Sequence, residues 1–169
     1  IEDRDEFLRA VMLELERAAM HIGDMGAIAG DIAWISGADM FGAVRTLVIN
    51  TSQSICGNRF GRGMLVPGGC RFDIDRKDID KIIFTVDKVC GDIDAIAGAM
   101  LKNPIVVSRL EKTGVVHKKD AENLGLVGPA ARSCGIDVDV RRNHGFGVYS
   151  SIAADPCVLK NGDVLARTR

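Results

Sequence analysis

Apolar residues recur along the first part of the chain at the three- and four-residue intervals of a helix buried along one stripe. They are Leu8, Val11, Met12, Leu15, Ala19, Ile22, Gly26 and Ala29. The spacing predicts one long helix over 5–34, broken by Ser36-Gly37. A second helix is expected over 39–56, with Phe41, Val44, Leu47, Val48 and Ile55 inward and Gly57 as its stop. Gly61 to Gly69 is glycine-rich with one proline and reads as loop. A short extended run from Cys70 to Ile74 then leads to Asp75, an expected N-cap. The third helix, over 76–102, carries Ile79, Ile82, Ile83, Val86, Val89, Ile93, Ile96 and Met100 on one side and ends at Asn103-Pro104. Beyond it, Gly125, Gly128-Pro129, Gly135, Gly145 and Gly147 interrupt the pattern. Short helices are expected near 118–124 and 129–134, then irregular segments, with a small hairpin at the Asn161-Gly162 turn signal. The pattern predicts a mainly α fold: three long helices and a loop-rich tail over 103–169, within one domain over 1–169.

Composition narrows this picture. A chain of 169 residues fits one domain, and 47% hydrophobic residues suffice for a core. Only 5% are aromatic while nineteen are glycine, so that core should be rich in small residues. The 22 basic and 23 acidic residues balance, which argues against a nucleic-acid binder. No stretch approaches the ~18 uncharged apolar residues of a membrane span. The five cysteines include no Cys-x-x-Cys pair, so neither a disulfide framework nor a zinc knuckle is expected, and reduced thiols packed as small hydrophobes are. The chain starts at Ile1, inside a helical pattern, and stops at Ala166-Arg-Thr-Arg169. Both ends are read as cuts in a longer subunit.

The first helix carries the most chemical information. From Ala18 to Ala38 there is no Lys or Arg, and the ionisable side chains are His21, Asp24 and Asp31. A helix without a solvated charged face is expected to be surrounded by protein on most sides. Glu14, Arg17, His21, Asp24 and Asp31 follow one another at intervals of 3, 4, 3 and 7, which places them along one stripe. Such a stripe is either a structural ladder of ion pairs or a proton-handling, cofactor-facing surface. His21 and Asp24 are too few for a metal site, and His117 and His144 stand alone, so no metal is assigned. The acidic run Asp73–Asp80 lacks the mid-loop Gly and final Glu of a calcium loop and reads as a helix start. Gly57-Asn-Arg-Phe-Gly-Arg-Gly63 fits neither nucleotide-loop pattern, though its two arginines could grip an anion or a partner.

Taken in order, several segments are similar to one known family. Leu15-Glu-Arg-Ala-Ala-Met-His-Ile-Gly-Asp24, Asp31, Gly57-Asn-Arg-Phe60, Val66-Pro-Gly-Gly69 and Asn103-Pro104 are the first of them. Arg109 to Gly114, Ala121 with Leu124–Pro129, Asp139-Val-Arg141, Tyr149, Gly162-Asp163 and Arg167 follow. The whole chain resembles the hydrogenase-like large subunit of respiratory complex I and of membrane-bound [NiFe]-hydrogenases. The resemblance implies a helical core beside an iron–sulfur subunit, in a membrane-bound complex coupling redox chemistry to ion pumping. It implies a peripheral place on the cytoplasmic side of the inner membrane.

The resemblance also sorts the site candidates. His21, Asp24 and Asp31 become cavity or proton-handling candidates. Arg17, Arg59 and Arg141 become cluster-facing or partner-contact candidates, and no catalytic residue falls within the chain. The parent's cofactor would be a nickel–iron centre or a quinone, with iron–sulfur clusters in the partner subunit and none held by this chain. Hydrogenases of the family hold nickel and iron by two Cys-x-x-Cys pairs, and neither pair is present here. Quinone-reducing members often carry a His directly after Gly-[Gln/Asn]-Arg-Phe, where this chain has Gly61. Gly61 and the wording Met20-His-Ile-Gly-Asp24 favour the hydrogenase branch. The quinone-reducing subunit and a scaffold without catalytic ligands stand as alternatives.

Overall fold

Helix α1 (Asp3–Asp31) buries Leu8, Met12, Leu15, Ala19, Ile22 and Ala29, the predicted stripe, and packs them against α2 (Ile35–Cys56). The computed structural model describes residues 2–152 and 155–169. These form two compact units, Ile1–Lys102 and Asn103–Arg169. Both are built of helices, and the mainly α expectation holds.

In the first unit, α1 ends earlier than expected and by a different device. Ala33 adopts a left-handed conformation, φ 62°. Its N–H donates to Gly30 O at 2.9 Å, and the Trp34 N–H donates to Ala29 O at 2.8 Å. This paired closure satisfies carbonyls of the last turn, normally around a glycine. The expected breaker, Ser36-Gly37, lies instead inside α2, where Gly37 lets the Trp34 ring lie close: a Cβ there would sit 2.2 Å from Trp34 Cε3. Helix α2 ends at Gly57, whose φ of 71° suits a residue without a side chain.

The connection from α2 to α3 contains the hairpin, in a segment expected to be plain loop. Strands β1 (Leu65–Val66) and β2 (Gly69–Cys70) pair antiparallel across Pro67-Gly68. Two residues per strand is too short for an alternating pattern to register. Side chains of α1 hold the hairpin in place. Arg9 Nη2 donates to Val66 O at 3.0 Å and Gly69 O at 2.6 Å, and the Cys70 N–H donates to Asp5 Oδ2 at 3.2 Å.

Helix α3 (Arg76–Lys102) has the predicted span and packs against α2. Its buried residues are Val89, Ile96 and Met100, from the middle of the helix onward. Ile83 and Val86, expected inward, are exposed, Ile83 by 53%. Periodicity marks a face that can be buried; in the first half of α3 the described residues do not cover it.

The second unit is a sequence of short helices: α4 (Pro104–Leu110), α5 (Lys118–Asn123), α6 (Gly128–Ser133), α7 (Val140–Asn143) and α8 (Val164–Thr168). A 3-10 turn spans Gly147–Ser150. Asn103 caps α4 by accepting from the Ile105 N–H at 3.0 Å, with Pro104 in the first turn. The Asn161-Gly162 signal does not make a hairpin. The Gly162 N–H donates to Ser133 O at 2.8 Å, and Gly162 O accepts from the Val116 N–H at 2.9 Å. A Cβ on Gly162 would stand 2.0 Å from Val116 O, so the chain crosses itself where only glycine fits.

Candidate functional site

The stripe on α1 lies open. His21, Asp24 and Asp31 are all exposed, along with Met20 just before them and Ala27 between them. From Glu14 to Asp31 the stripe runs roughly 25 Å at the helical rise. One rung of a ladder is present: Arg17 pairs with Glu14 one turn away, both side chains about one-third exposed. His21, Asp24 and Asp31 make no ion pair among the described residues, so the ladder does not continue. The opposite side of α1 holds the core. Three ionisable groups thus stand on a rigid helix, facing outward, on a segment without surface lysines or arginines.

One cation beside this stripe is missed by the sequence pattern. Arg45 is the sole Lys, Arg, Asp or Glu between Asp39 and Arg59, and it is half-buried against α1. Its Nε donates to Ala19 O at 3.0 Å, and a Cβ on Gly23 would meet that Nε at 3.0 Å. Gly23 is the notch that admits the guanidinium. An isolated arginine within an apolar helix is the signal that could have found it.

Arg59 sits on the loop after α2, exposed, its guanidinium carbon 4.5 Å from the Phe60 ring centroid; that of Arg62 lies at 5.9 Å. Met64, 1% exposed, anchors the loop from beneath. Gly61 has a φ of 67° and would bring a Cβ within 3.4 Å of Met12 Cε. A side chain at that position would be strained, so the glycine is built into this loop.

Arg141 belongs to the second unit. Its Nε donates to Asp139 Oδ1 at 3.0 Å and its Nη2 to Oδ2 at 2.8 Å; Arg132 Nη1 lies 3.6 Å from Oδ2. Hydrogen bonding from Arg141, followed by the backbone N–H of the same residue and the two positive charges, outweighs burial and holds Asp139 well below the usual carboxylate range. Asp163 enters the sequence pattern only as part of a motif, and it is 2% exposed. Burial pushes its pKa up, but the N–H groups of Lys112 and Ala166, at 2.9 and 2.8 Å, more than reverse this. Arg167 nearby adds to the lowering.

No three His, Cys, Asp or Glu side chains gather as metal ligands among the described residues. The cysteines are free thiols; Cys56 and Cys134 are buried and donate to backbone carbonyls of their own helical turns, while Cys90 and Cys157 are exposed. A nickel–iron centre held by four thiolates does not fit these residues. No described helix is long and apolar enough to cross a membrane.

Residues 31–169 match the family model for the respiratory-chain NADH dehydrogenase 49 kDa subunit. The membrane-bound hydrogenase subunit alpha of Pyrococcus furiosus is 30% identical over 92% of this chain and 36% of its own length. The carbon monoxide-induced hydrogenase of Rhodospirillum rubrum is 28% identical over 99% of this chain and 46% of its own. An NADH-quinone oxidoreductase subunit from Myxococcus xanthus is 28% identical over 96% of this chain and 39% of its own. Among solved structures, a chain of the membrane-bound sulfane sulfur reductase, an archaeal respiratory membrane complex, superposes with a TM-score of 0.91 at 26% identity. The match covers 98% of this chain and 45% of that one. The chain spans between about one-third and one-half of the length of these relatives.

Proposed function

The chain belongs to the family of the respiratory-chain NADH dehydrogenase 49 kDa subunit, and on that premise we propose that it forms the helical wall of a redox cavity in a membrane-associated complex. Two of the relatives named above are a membrane-bound hydrogenase subunit and an NADH-quinone oxidoreductase subunit. The same role here would set the chain beside an iron–sulfur subunit, as a peripheral subunit on the cytoplasmic face of the inner membrane.

The observation that carries the reading is the open stripe of His21, Asp24 and Asp31 on α1. Exposed carboxylates are ordinary on a surface helix mixed with Lys and Arg. Here no basic residue accompanies them from Ala18 to Ala38, and their exposed neighbours are Met20, just before His21, and Ala27, between Asp24 and Asp31. That composition suits a face covered by further protein around a small polar cavity, where an imidazole and carboxylates can take up and release protons.

Within the family, the hydrogenase-type parent is the reading preferred. Gly61 occupies a left-handed position beside Met12, where the side chain that many quinone-reducing members carry would be strained. The nickel–iron centre would then be held by thiolates outside these residues, since this chain's own cysteines do not gather. Asp31→Ala in the full complex tests the cavity role. Turnover is expected to fall by roughly two orders of magnitude with subunit assembly unchanged. Normal turnover in a normally assembled complex would leave only a scaffold role. The full-length subunit's sequence tests the branch: a Cys-x-x-Cys pair on each side of this segment is expected. Absence of both pairs, with a His in an upstream loop, would give the quinone-reducing reading its place.

A further inference from the structure

The loop between α2 and α3 concentrates positive charge in the form of arginine. From Gly57 to Phe72 there are three arginines, Arg59, Arg62 and Arg71, and no acidic residue, in a chain whose net charge is −1. All three are exposed and none forms an ion pair among the described residues. They lie in one small region. Arg59 and Arg62 lie over the Phe60 ring, and Arg71 Nη1 would be 3.7 Å from a Cβ on Gly63. Phe60 itself is 61% exposed and Leu65, on the same loop, 63%. The scaffold beneath is fixed by buried Met64, by the Arg71 N–H donating to Met64 O at 2.9 Å, and by the Phe60 N–H on Asn58 Oδ1 at 2.8 Å.

We propose that this loop is a docking site for a carboxylate-bearing segment of a partner protein, with Phe60 and Leu65 as its apolar centre and Arg59, Arg62 and Arg71 as its cationic rim. An apolar centre ringed by arginine is the usual anatomy of a protein interface. A guanidinium stacked on an aromatic ring keeps its N–H edge free, and that planar fork matches a carboxylate better than an ammonium does. Every cation of the loop is arginine, although the chain also uses lysine.

An anionic membrane is the other surface such a patch could meet, and the surroundings disfavour it. Lipid-reading clusters carry roughly four to eight cations, and here there are three. Acids also flank the hairpin closely: Asp5 accepts from Cys70, Arg4 pairs with Asp73 at 2.8 Å, and Asp3, Glu6, Asp75 and Asp78 follow nearby in sequence. A broad negative surface would meet these acids together with the arginines. A discrete acidic segment would not. The assignment rests on the reading that the chain works inside a multi-subunit complex, and it names what that complex presents here.

The test uses the full-length subunit in its assembled complex, with Phe60→p-benzoylphenylalanine as a photo-crosslinker. A crosslink to a partner peptide carrying two or more Asp or Glu is expected. The double variant Arg62→Glu/Arg71→Glu should weaken retention of that partner by about tenfold at physiological salt. Arg62→Gln should weaken it less, and exchanging the crosslinked acids for lysine should restore the double variant. Crosslinking to lipid only, to a segment without acids, or unchanged retention on charge reversal would overturn the docking site. If the unaltered subunit co-purifies with no other subunit at all, the complex-based reading of function fails first and takes this assignment with it.

Discussion

Phe41, Met64 and Met100 close the core of the first unit with large apolar side chains. The second closes around Leu110, Ala121, Ala131 and Ser133 and around two buried carboxylates, Asp139 and Asp163. The first unit has long helices that each offer a continuous stripe, so burial alone can hold it. In the second no helix exceeds seven residues. Helices that short are not stable on their own account, and the backbone groups at their many ends need partners. Asp163 supplies them: it caps α8 through the Ala166 N–H and holds the turn after α4 through the Lys112 N–H. Arg167 adds bonds to Gly114 O at 3.0 Å and Gly162 O at 2.8 Å. Apolar area stabilises one region, and polar closure the other.

Two substitutions break this comparison where it is sharpest. Phe41→Ala removes a ring that is 0% exposed and should cost about 3–5 kcal/mol. Asp163→Ala leaves two backbone donors without acceptors and should cost about 2–4 kcal/mol, although it deletes no large apolar group. Hydrogen exchange should speed up at the α1 and α2 amides in the first variant, and at the Lys112 and Ala166 amides in the second. If Asp163→Ala cost less than about 1 kcal/mol, the polar-closure account of the second unit would be wrong.

Acid should separate the two regions more gently. Asp139 and Asp163 both titrate below the ordinary aspartate value of 3.8. Groups with depressed folded values contribute their stability in full above the unfolded pKa and lose it as pH falls through the folded one. The second unit should therefore lose protection progressively below about pH 4, while the cores around Phe41 and Met100 persist further. Asp73, in the first unit, is also lowered, chiefly by its hydrogen bond from Arg4, but it is fully solvated and should not move the balance. Residue-resolved exchange at decreasing pH would show which unit opens first, and simultaneous opening would argue against the distinction.

The same contrast explains what the sequence disclosed. The long helices of the first unit were legible because each repeats one signal many times, and α3 has the span read from its stripe and from Asn103-Pro104. The end of α1 was misplaced because the left-handed residue is Ala33, not a glycine, and Ser36-Gly37 resembled a break that α2 in fact runs through. In the second unit the glycines announced turns but not their partners. Asn161-Gly162 looks locally like a hairpin, and its bonds to Ser133 and Val116 depend on residues 29 and 46 positions away. Of the site, the α1 stripe was visible as spacing. Arg45, whose role comes from the notch at Gly23, was not.

The smallest expected effect bears most directly on function. Asp31 is the last residue of α1, exposed, with no basic residue in that turn and no ion pair among the described residues. A helix C-terminus carries a partial negative charge, so a carboxylate there is held against a repulsion that typically amounts to about 0.3–1 kcal/mol. Asp31→Asn should therefore leave the melting temperature of this chain unchanged or raise it slightly. A residue that costs the fold something is kept for another reason, and the stripe it shares with His21 and Asp24 is the reason the cavity reading supplies. Thermal unfolding of the variant at two salt concentrations separates the cases: a gain that shrinks as salt screens the helix end fits this account. A loss of more than about 1 kcal/mol would mean that Asp31 holds the α1–α2 junction together, and its place in the chain would need no function beyond the fold.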